Sequence, residues 1–294
     1  MISNSRVRLA LISTGVAALL LSSSVVASAA TISGSYNAAA AKLVPASLKG
    51  MTLAAATDST YPPDESMKGS TMQGFNIDLI KAIAKTLGVK ISESSVTFDN
   101  IIPGIQSGRY QIGNSSFTDN KLREKLVNFV DYFQAGEGVY AAANSKLVFN
   151  GFKSFCGLTI AVEKGTYEQS DAKDYSKKCP AGKKIGILAF DTQTEANSAV
   201  SSGHASMGFL DSQVAGYLVA HTGGKFKLLG SAVNVAPYGI ATAKTPTGLA
   251  LAKAIKAALL VLVANGTLNA IFTKWGVQSG AIPVSKMVLN GAIS

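Results

Sequence analysis

Histidine is almost absent from this chain: only His204 and His221 carry an imidazole among 294 residues. Neither lies near a cysteine, so no zinc-ligand spacing can be assembled. No Gly-x-Ser-x-Gly elbow accompanies the plentiful serines, which leaves classical serine hydrolysis without support. Runs of one charge are missing too, the longest basic run being a pair, Lys177-Lys178 or Lys183-Lys184. A net charge of +10 spread so thinly lacks the clustered patch of a nucleic-acid binder and reads as a solvated surface. Away from the N-terminus the most apolar stretch, Leu249 to Val263, is interrupted by Lys253 and Lys256. It is predicted to be a packed helix rather than a membrane span.

The N-terminus has the three-part layout of an export signal over residues 1–29. Arg6 and Arg8 precede an apolar run from Leu9 to Leu21, and a small-residue stretch ends in Ala27-Ser28-Ala29, with cleavage expected after Ala29. The apolar run is shorter than the roughly 20 residues of a membrane span; a retained anchor is the alternative. No cysteine adjoins the cleavage site, so a lipid anchor is not indicated. Without residues 1–29 the formal charge is +8, and the protein is expected outside the cytoplasm, in the periplasm, secreted or at the cell surface. In that oxidising setting Cys156 and Cys179 tend to form a disulfide, stabilising the fold by about 3 kcal/mol, although spacing alone leaves two free thiols open.

The remaining chain exceeds one hydrophobic core, and two lobes are expected. Residues Thr31 to Ser47 are rich in Ala and Ser and read as a flexible leader. From Leu48 onward strand and helix patterns alternate, which argues for βαβ units and mainly parallel sheets. Met51–Ala56 reads as a strand and Asp58–Ser70, with Pro62-Pro63 and Gly69, as a loop. A helix through Ile77, Ile80, Ala84 and Leu87 stops at Gly88. Val89–Val96 reads as a strand, Phe98–Ser107 as a helix, and Tyr110–Asn114 as a strand leading into Ser115-Ser116-Phe117-Thr118, with a helix after Thr118. The same grammar then repeats: strands at Leu158–Val162, Lys184–Leu188 and Ala205–Leu210, helices from Tyr167 and from the capping box Thr192-Gln193-Thr194-Glu195. Val235–Ala243 is extended, and the tail to Trp275 is two helices broken at Asn265-Gly266.

In open α/β sheets ligands bind beyond the carboxyl ends of the strands. The polar residues there are Asp58, Ser115 to Thr118, Glu163 to Thr166 and Asp211. They suit a zwitterion: Arg123 offers a planar fork to a carboxylate, and Ser116 and Thr118 offer hydroxyls. The helix starts after Thr118 and Thr166 offer N–H donors, and Asp211 can accept from an ammonium. Tyr61 and Phe98 can sandwich an extended side chain or face a cation. Each has an ordinary alternative: Arg123 as a surface residue, Asp211 as a helix cap, Phe98 as core.

The ordered combination resembles a known family. Thr57-Asp58-Ser59-Thr60-Tyr61-Pro62-Pro63, Gly74-Phe75-Asn76-Ile77-Asp78-Leu79 and the run Phe98 to Gly108 look like the N-terminal signature of the family 3 extracellular solute-binding proteins of polar amino acid ABC transporters. Ser115 to Thr118 with Arg123-Glu124-Lys125, Gly165-Thr166, Phe209-Leu210-Asp211 and Lys274-Trp275-Gly276 continue the match. The resemblance implies a type II periplasmic-binding-protein fold, a Venus-flytrap whose lobes are mainly parallel sheets flanked by helices. Lobe 1 is expected over residues 48–140 and 239–294 and lobe 2 over 141–238, after a leader at 30–47, with hinge crossings near Gly138–Ala143 and Pro237–Ala243.

By position, the resemblance implies Arg123 on the ligand α-carboxylate with Ser115, Ser116 and Thr118 nearby, and Asp211 on the α-amino group. It implies Asp58, Tyr61 and Phe98 around the side chain, and Thr166 and Tyr167 closing the second lobe. Asp64 departs from the family, where an aromatic residue or Met commonly follows the two prolines, and so does Tyr167-Glu168. The negative charge of Asp58 and Glu163, with Glu168 beside them, leans toward arginine, lysine or ornithine. The implied partners are that ligand and a membrane permease, with no cofactor or metal, no nucleic acid, and a monomeric, non-catalytic protein. An exported dehydratase acting on an aromatic amino acid precursor and a sensory binding module are the alternatives.

Overall fold

The computed structural model describes residues 32–292 together with Met1. The expected export signal and residues 30–31 otherwise lie outside the described residues.

The first half of the chain contains α1 (Ala38–Ala41), β1 (Thr52–Thr57), β2 (Thr60–Tyr61), β3 (Glu65–Lys68), β4 (Thr71–Gln73), α2 (Phe75–Leu87), β5 (Lys90–Ser95), α3 (Ile101–Gln106), β6 (Ile112–Thr118), α4 (Lys121–Glu124) and the long β7 (Val127–Ala142). There follow β8 (Thr159–Glu163), α5 (Tyr167–Lys178), β9 (Gly186–Phe190), α6 (Gln193–Ser201), β10 (Met207–Asp211), α7 (Ser212–His221) and β11 (Phe226–Leu228). The chain closes with β12 (Val233–Ala243), α8 (Pro246–Ala264) and α9 (Thr267–Trp275).

Local signals account for most boundaries. Gly88 adopts the left-handed conformation after α2, and its N–H reaches the Ala84 and Lys85 carbonyls. The expected capping box opens α6, Thr192 and Glu195 exchanging their side-chain bonds. Thr245 caps α8, whose N1 proline needs no donor. Although α8 is apolar enough to cross a membrane, it buries Leu251, Ile255, Leu259 and Leu262 in the core against α2.

The strands run in the order β5-β1-β6-β12-β7-β10-β8-β9, with β11 also on β7. At each end the pairing is parallel, β5 and β6 on β1, and β9 and β10 on β8. The centre is antiparallel, β12 pairing with both β6 and β7. The α/β fold is thus two-lobed, two βαβ halves joined by β7 and β12. Val130, Tyr132, Phe133 and Ala135 of β7 join the core formed with α2, α8 and α9, whereas Val139 and Ala141 of the same strand join a second core with Phe155, Ile160 and Phe209. Cys156 and Cys179 form a disulfide that ties the end of α5 beside this second core.

Three expectations are corrected. The Ala/Ser segment is no flexible leader: Asn37 caps α1, the Asn37 N–H bonds the Thr86 carbonyl, and Ala40 and Val44 are buried. Alanines read as featureless in composition, yet their small size lets this segment lie close against α2 and α8. The stretch 58–70 is not a loop but carries β2 and β3, which with β4 form a small antiparallel sheet. Its strands are two to four residues long, below what periodicity can register. The strand expected at Tyr110–Asn114 runs instead through Thr118, and the helix after it is a single turn capped by Asn120. Inside β6, Asn114 Nδ2 donates to the Asn76 carbonyl while Asn114 Oδ1 stays unpartnered, and Ser115 Oγ accepts from the Asp58 N–H.

Candidate functional site

A narrow cavity lies between the halves. Its wall contains Asp58 at the end of β1, Tyr61, Phe98, Ser115, Ser116 and Thr118 of β6, and Arg123 of α4 from the first half. Glu163 of β8, Thr166 and Tyr167 at the start of α5, and Asp211 at the end of β10 come from the second. All eleven residues singled out from sequence therefore meet at one place, with Glu168 as a twelfth.

Asp58 is buried and heavily bonded: Oδ1 accepts from the Thr60 N–H and hydroxyl, and Oδ2 from the Phe98 N–H. Burial outweighs those bonds and raises its pKa. Glu163 faces it, also buried, with Oε1 unpartnered and its pKa well above the usual range because of burial and the Asp58 charge. Glu168 is likewise raised by burial and by Asp211, with Arg123 opposing. Asp211 is held by Tyr61, whose hydroxyl donates to Oδ2 and accepts from the Asp211 N–H, both at 2.9 Å. Burial lifts its carboxyl to about 6 against the Tyr238, Tyr61 and Arg123 contacts that favour the anion. Although Asp211 precedes α7, its side chain makes no capping bond and stays available to the cavity.

Arg123 lies 5.3 Å from the Phe98 ring centre and 5.5 Å from that of Phe117. It donates to the Thr118 carbonyl and, across the cleft, to the Gly165 carbonyl, each at 2.9 Å. Burial lowers its pKa, while Glu168 and Asp211 pull the other way. Gly165 occupies a left-handed turn (φ +80°) where a Cβ would come within 2.9 Å of Asp99 Cβ, so only glycine allows this approach of the two halves. Thr166 caps α5, accepting from the Gln169 N–H and donating to the Glu163 carbonyl. The expected N-terminus after Thr118 is only one turn long, and Asn120 already occupies its Arg123 N–H. The starts of α5 and of α7, after Asp211, are the longer helix termini at this cavity.

Several residues that sequence reasoning missed close the cleft. Lys164 pairs with Asp99 at 2.8 Å across the halves. The Gln193 N–H donates to Thr60 Oγ1, and Gln213 donates to Asp64. None of these has a local signature, since each depends on partners from distant elements. Among the described residues no group of His, Cys, Asp and Glu could hold a metal.

Residues 53–278 match the profile of the bacterial extracellular solute-binding proteins, family 3. An arginine-binding protein of Corynebacterium glutamicum is 32% identical over 235 residues, 78% of this chain and 76% of that protein. The ABC transporter glutamine-binding protein of Bacillus subtilis is 30% identical over 69% of this chain and 72% of its own length. Among solved structures, an ancestral arginine-binding protein bound to arginine superposes with a TM-score of 0.71 at 30% identity, covering 78% of this chain and 99% of its own. An ancestral amino acid-binding protein described as a precursor of cyclohexadienyl dehydratase gives 0.68 at 29% identity, covering 76% and 95%.

Proposed function

Since the chain belongs to the bacterial extracellular solute-binding proteins, family 3, and binds an amino acid for an ABC importer, we propose that its ligand is a cationic amino acid, arginine foremost. The observation that carries this is the Asp58–Glu163 pair: two buried carboxylates line one cavity, and among the described residues neither takes part in an ion pair. A guanidinium or ammonium placed there supplies the missing charge, which a neutral side chain cannot do. At the other end Arg123 receives the α-carboxylate and Asp211 the α-ammonium. Tyr61 and Phe98 flank the aliphatic stem, and Ser115, Ser116, Thr118, Thr166 and Tyr167 complete the wall. Relatives named for arginine binding support the same choice.

Capture then follows hinged closure, one lobe taking the ligand and the other completing the set. We assign the hinge to Gln134–Glu137 and Val233–Ala236, slightly ahead of the crossings expected from sequence, because β7 and β12 change core partners there. Lobe 1 comprises the chain before the first crossing and after the second. The protein acts as a monomer outside the cytoplasm, after removal of residues 1–29, and hands its cargo to a membrane permease. Nucleic acid and cofactors have no part in this, and there is no catalytic step.

Calorimetric titration of the protein with arginine, lysine, ornithine, glutamine and histidine tests the reading. Arginine should bind in the micromolar range or tighter, about −8 kcal/mol or better, and ahead of glutamine by at least tenfold. Preference for a neutral side chain would overturn it. Burial raises the pKa of Glu163 and Glu168, the direction a dehydratase would need of a general acid. Turnover of prephenate or arogenate by the same preparation would favour that second reading.

A further inference from the structure

Gln213, which is not among the residues lining the cavity, lies in the first turn of α7 and reaches into the other half of the molecule. Its side-chain amide donates at 2.8 Å to Asp64 Oδ2 and at 2.8 Å to Tyr238 Oη. Asp64 is fully buried, takes a second bond from Ser116 Oγ at 2.8 Å, and leaves Oδ1 without a partner. Tyr238 belongs to the first core and its hydroxyl also bonds the Asp211 carboxylate. The hydrogens balance along this path: Gln213 gives one to each neighbour, so the single phenolic hydrogen of Tyr238 is free for Asp211. Ser116, one residue of the cavity wall, is thereby linked to Asp211, another, through three side chains that do not line it.

Ser116 has φ +49°, a conformation that costs a non-glycine residue about 1–3 kcal/mol and persists only when its surroundings impose it. Its Oγ is fixed by Asp64, Glu65 and the Asn76 amide. Gln213 is the residue of the second half that engages Asp64.

We infer that Gln213 is a positioning residue, a two-pronged peg that aims the Asp211 carboxylate through Tyr238 and locks the second half onto Asp64 when the cleft is shut. It governs how long an amino acid is held rather than how fast it is met. The inference rests on the role proposed for Asp211.

The full mature chain and its Gln213→Ala, Asp64→Ala and doubly substituted forms are compared in stopped-flow binding of arginine. Lobe-to-lobe fluorescence transfer is recorded with and without arginine. The dissociation rate should rise about 10- to 100-fold in either single variant and little further in the double one, with the association rate within about threefold of the parent. Closed-state lifetimes should shorten in parallel, and in Gln213→Ala the melting temperature without ligand should stay within about 2 °C. Gln213→Glu supplies a second test, since it sets a new carboxyl against Asp64, with Glu65 and Asp211 close by and Arg123 the cation acting on Asp211. That variant should hold arginine nearly as long as the parent at pH 5 and lose it quickly at pH 8. Unchanged dissociation and closed-state lifetimes in Gln213→Ala, or a Gln213→Glu variant indifferent to pH, would overturn the peg. If the parent binds no amino acid, the reading of the cavity fails, and the closed-state lifetimes still decide the peg.

Discussion

Replacing Glu163 with Gln isolates the charge at the far end of the cavity while keeping the shape of the side chain. Two unit charges about 4 Å apart interact by about 4 kcal/mol at an effective dielectric constant near 20. Part of that is offset in the wild-type protein because Glu163 is buried and shares its surroundings with Asp58, both of which favour its neutral form. Asp58 also remains to face a guest cation, already held by the Thr60 and Phe98 donors. A net loss of about 2 kcal/mol is therefore expected, or about a thirtyfold rise in the Kd for arginine. Citrulline has nearly the same outline without the positive charge, and its affinity should change less than about threefold. Isothermal titration of both proteins with both ligands at one pH and salt concentration gives the four numbers. Equal losses for arginine and citrulline would mean that Glu163 matters for packing alone, and an unchanged arginine Kd would remove it from the site.

Arg123→Lys retains the charge but not the fork, and should weaken arginine binding by about 100-fold or more in the same titrations, because a bidentate carboxylate contact is lost. Gly165→Ala should slow or weaken closure, with at least tenfold weaker binding and little change in the ligand-free melting temperature, since the added Cβ meets Asp99. Glu137 is raised to about 10 by burial first and then by Glu168 and Asp171. A folded pKa above the unfolded value of 4.5 means stability is full below that value and declines as pH climbs toward 10. Glu137→Gln should remove up to about 1.4 kcal/mol per pH unit of that decline, so denaturant melts of the two proteins should coincide near pH 4.5 and diverge in the variant's favour by pH 8. Reducing the Cys156–Cys179 bond should cost about 3 kcal/mol of stability in the second half and leave arginine affinity unchanged when measured below the melting transition.

Much of this molecule was legible in one dimension because the signals involved are short-ranged. The apolar stripe of α2 and its glycine stop, the capping box of α6, the break between α8 and α9 and the alternation of strand with helix each operate within about a dozen residues. The candidate ligand contacts were legible for a related reason: polar residues recur where strands end, and the motifs around Asp58, Arg123, Gly165 and Asp211 resemble those of a known family. Composition misread the segment Thr31 to Ser47, where Ala40 and Val44 are close-packing surfaces, and periodicity missed β2 and β3, which are too short to have a period.

What the sequence by itself determined was an α/β chain in two halves with a set of groups suited to a zwitterion. Tertiary structure alone decided that Asp58 confronts Glu163, that Arg123 reaches the Gly165 carbonyl, and that Gln213 bridges Asp64 and Tyr238. Those meetings join residues 25 to 149 positions apart. They arise because β7 and β12 cross between two cores and bring the carboxyl ends of the two parallel ends of one continuous sheet face to face, an arrangement no local pattern encodes.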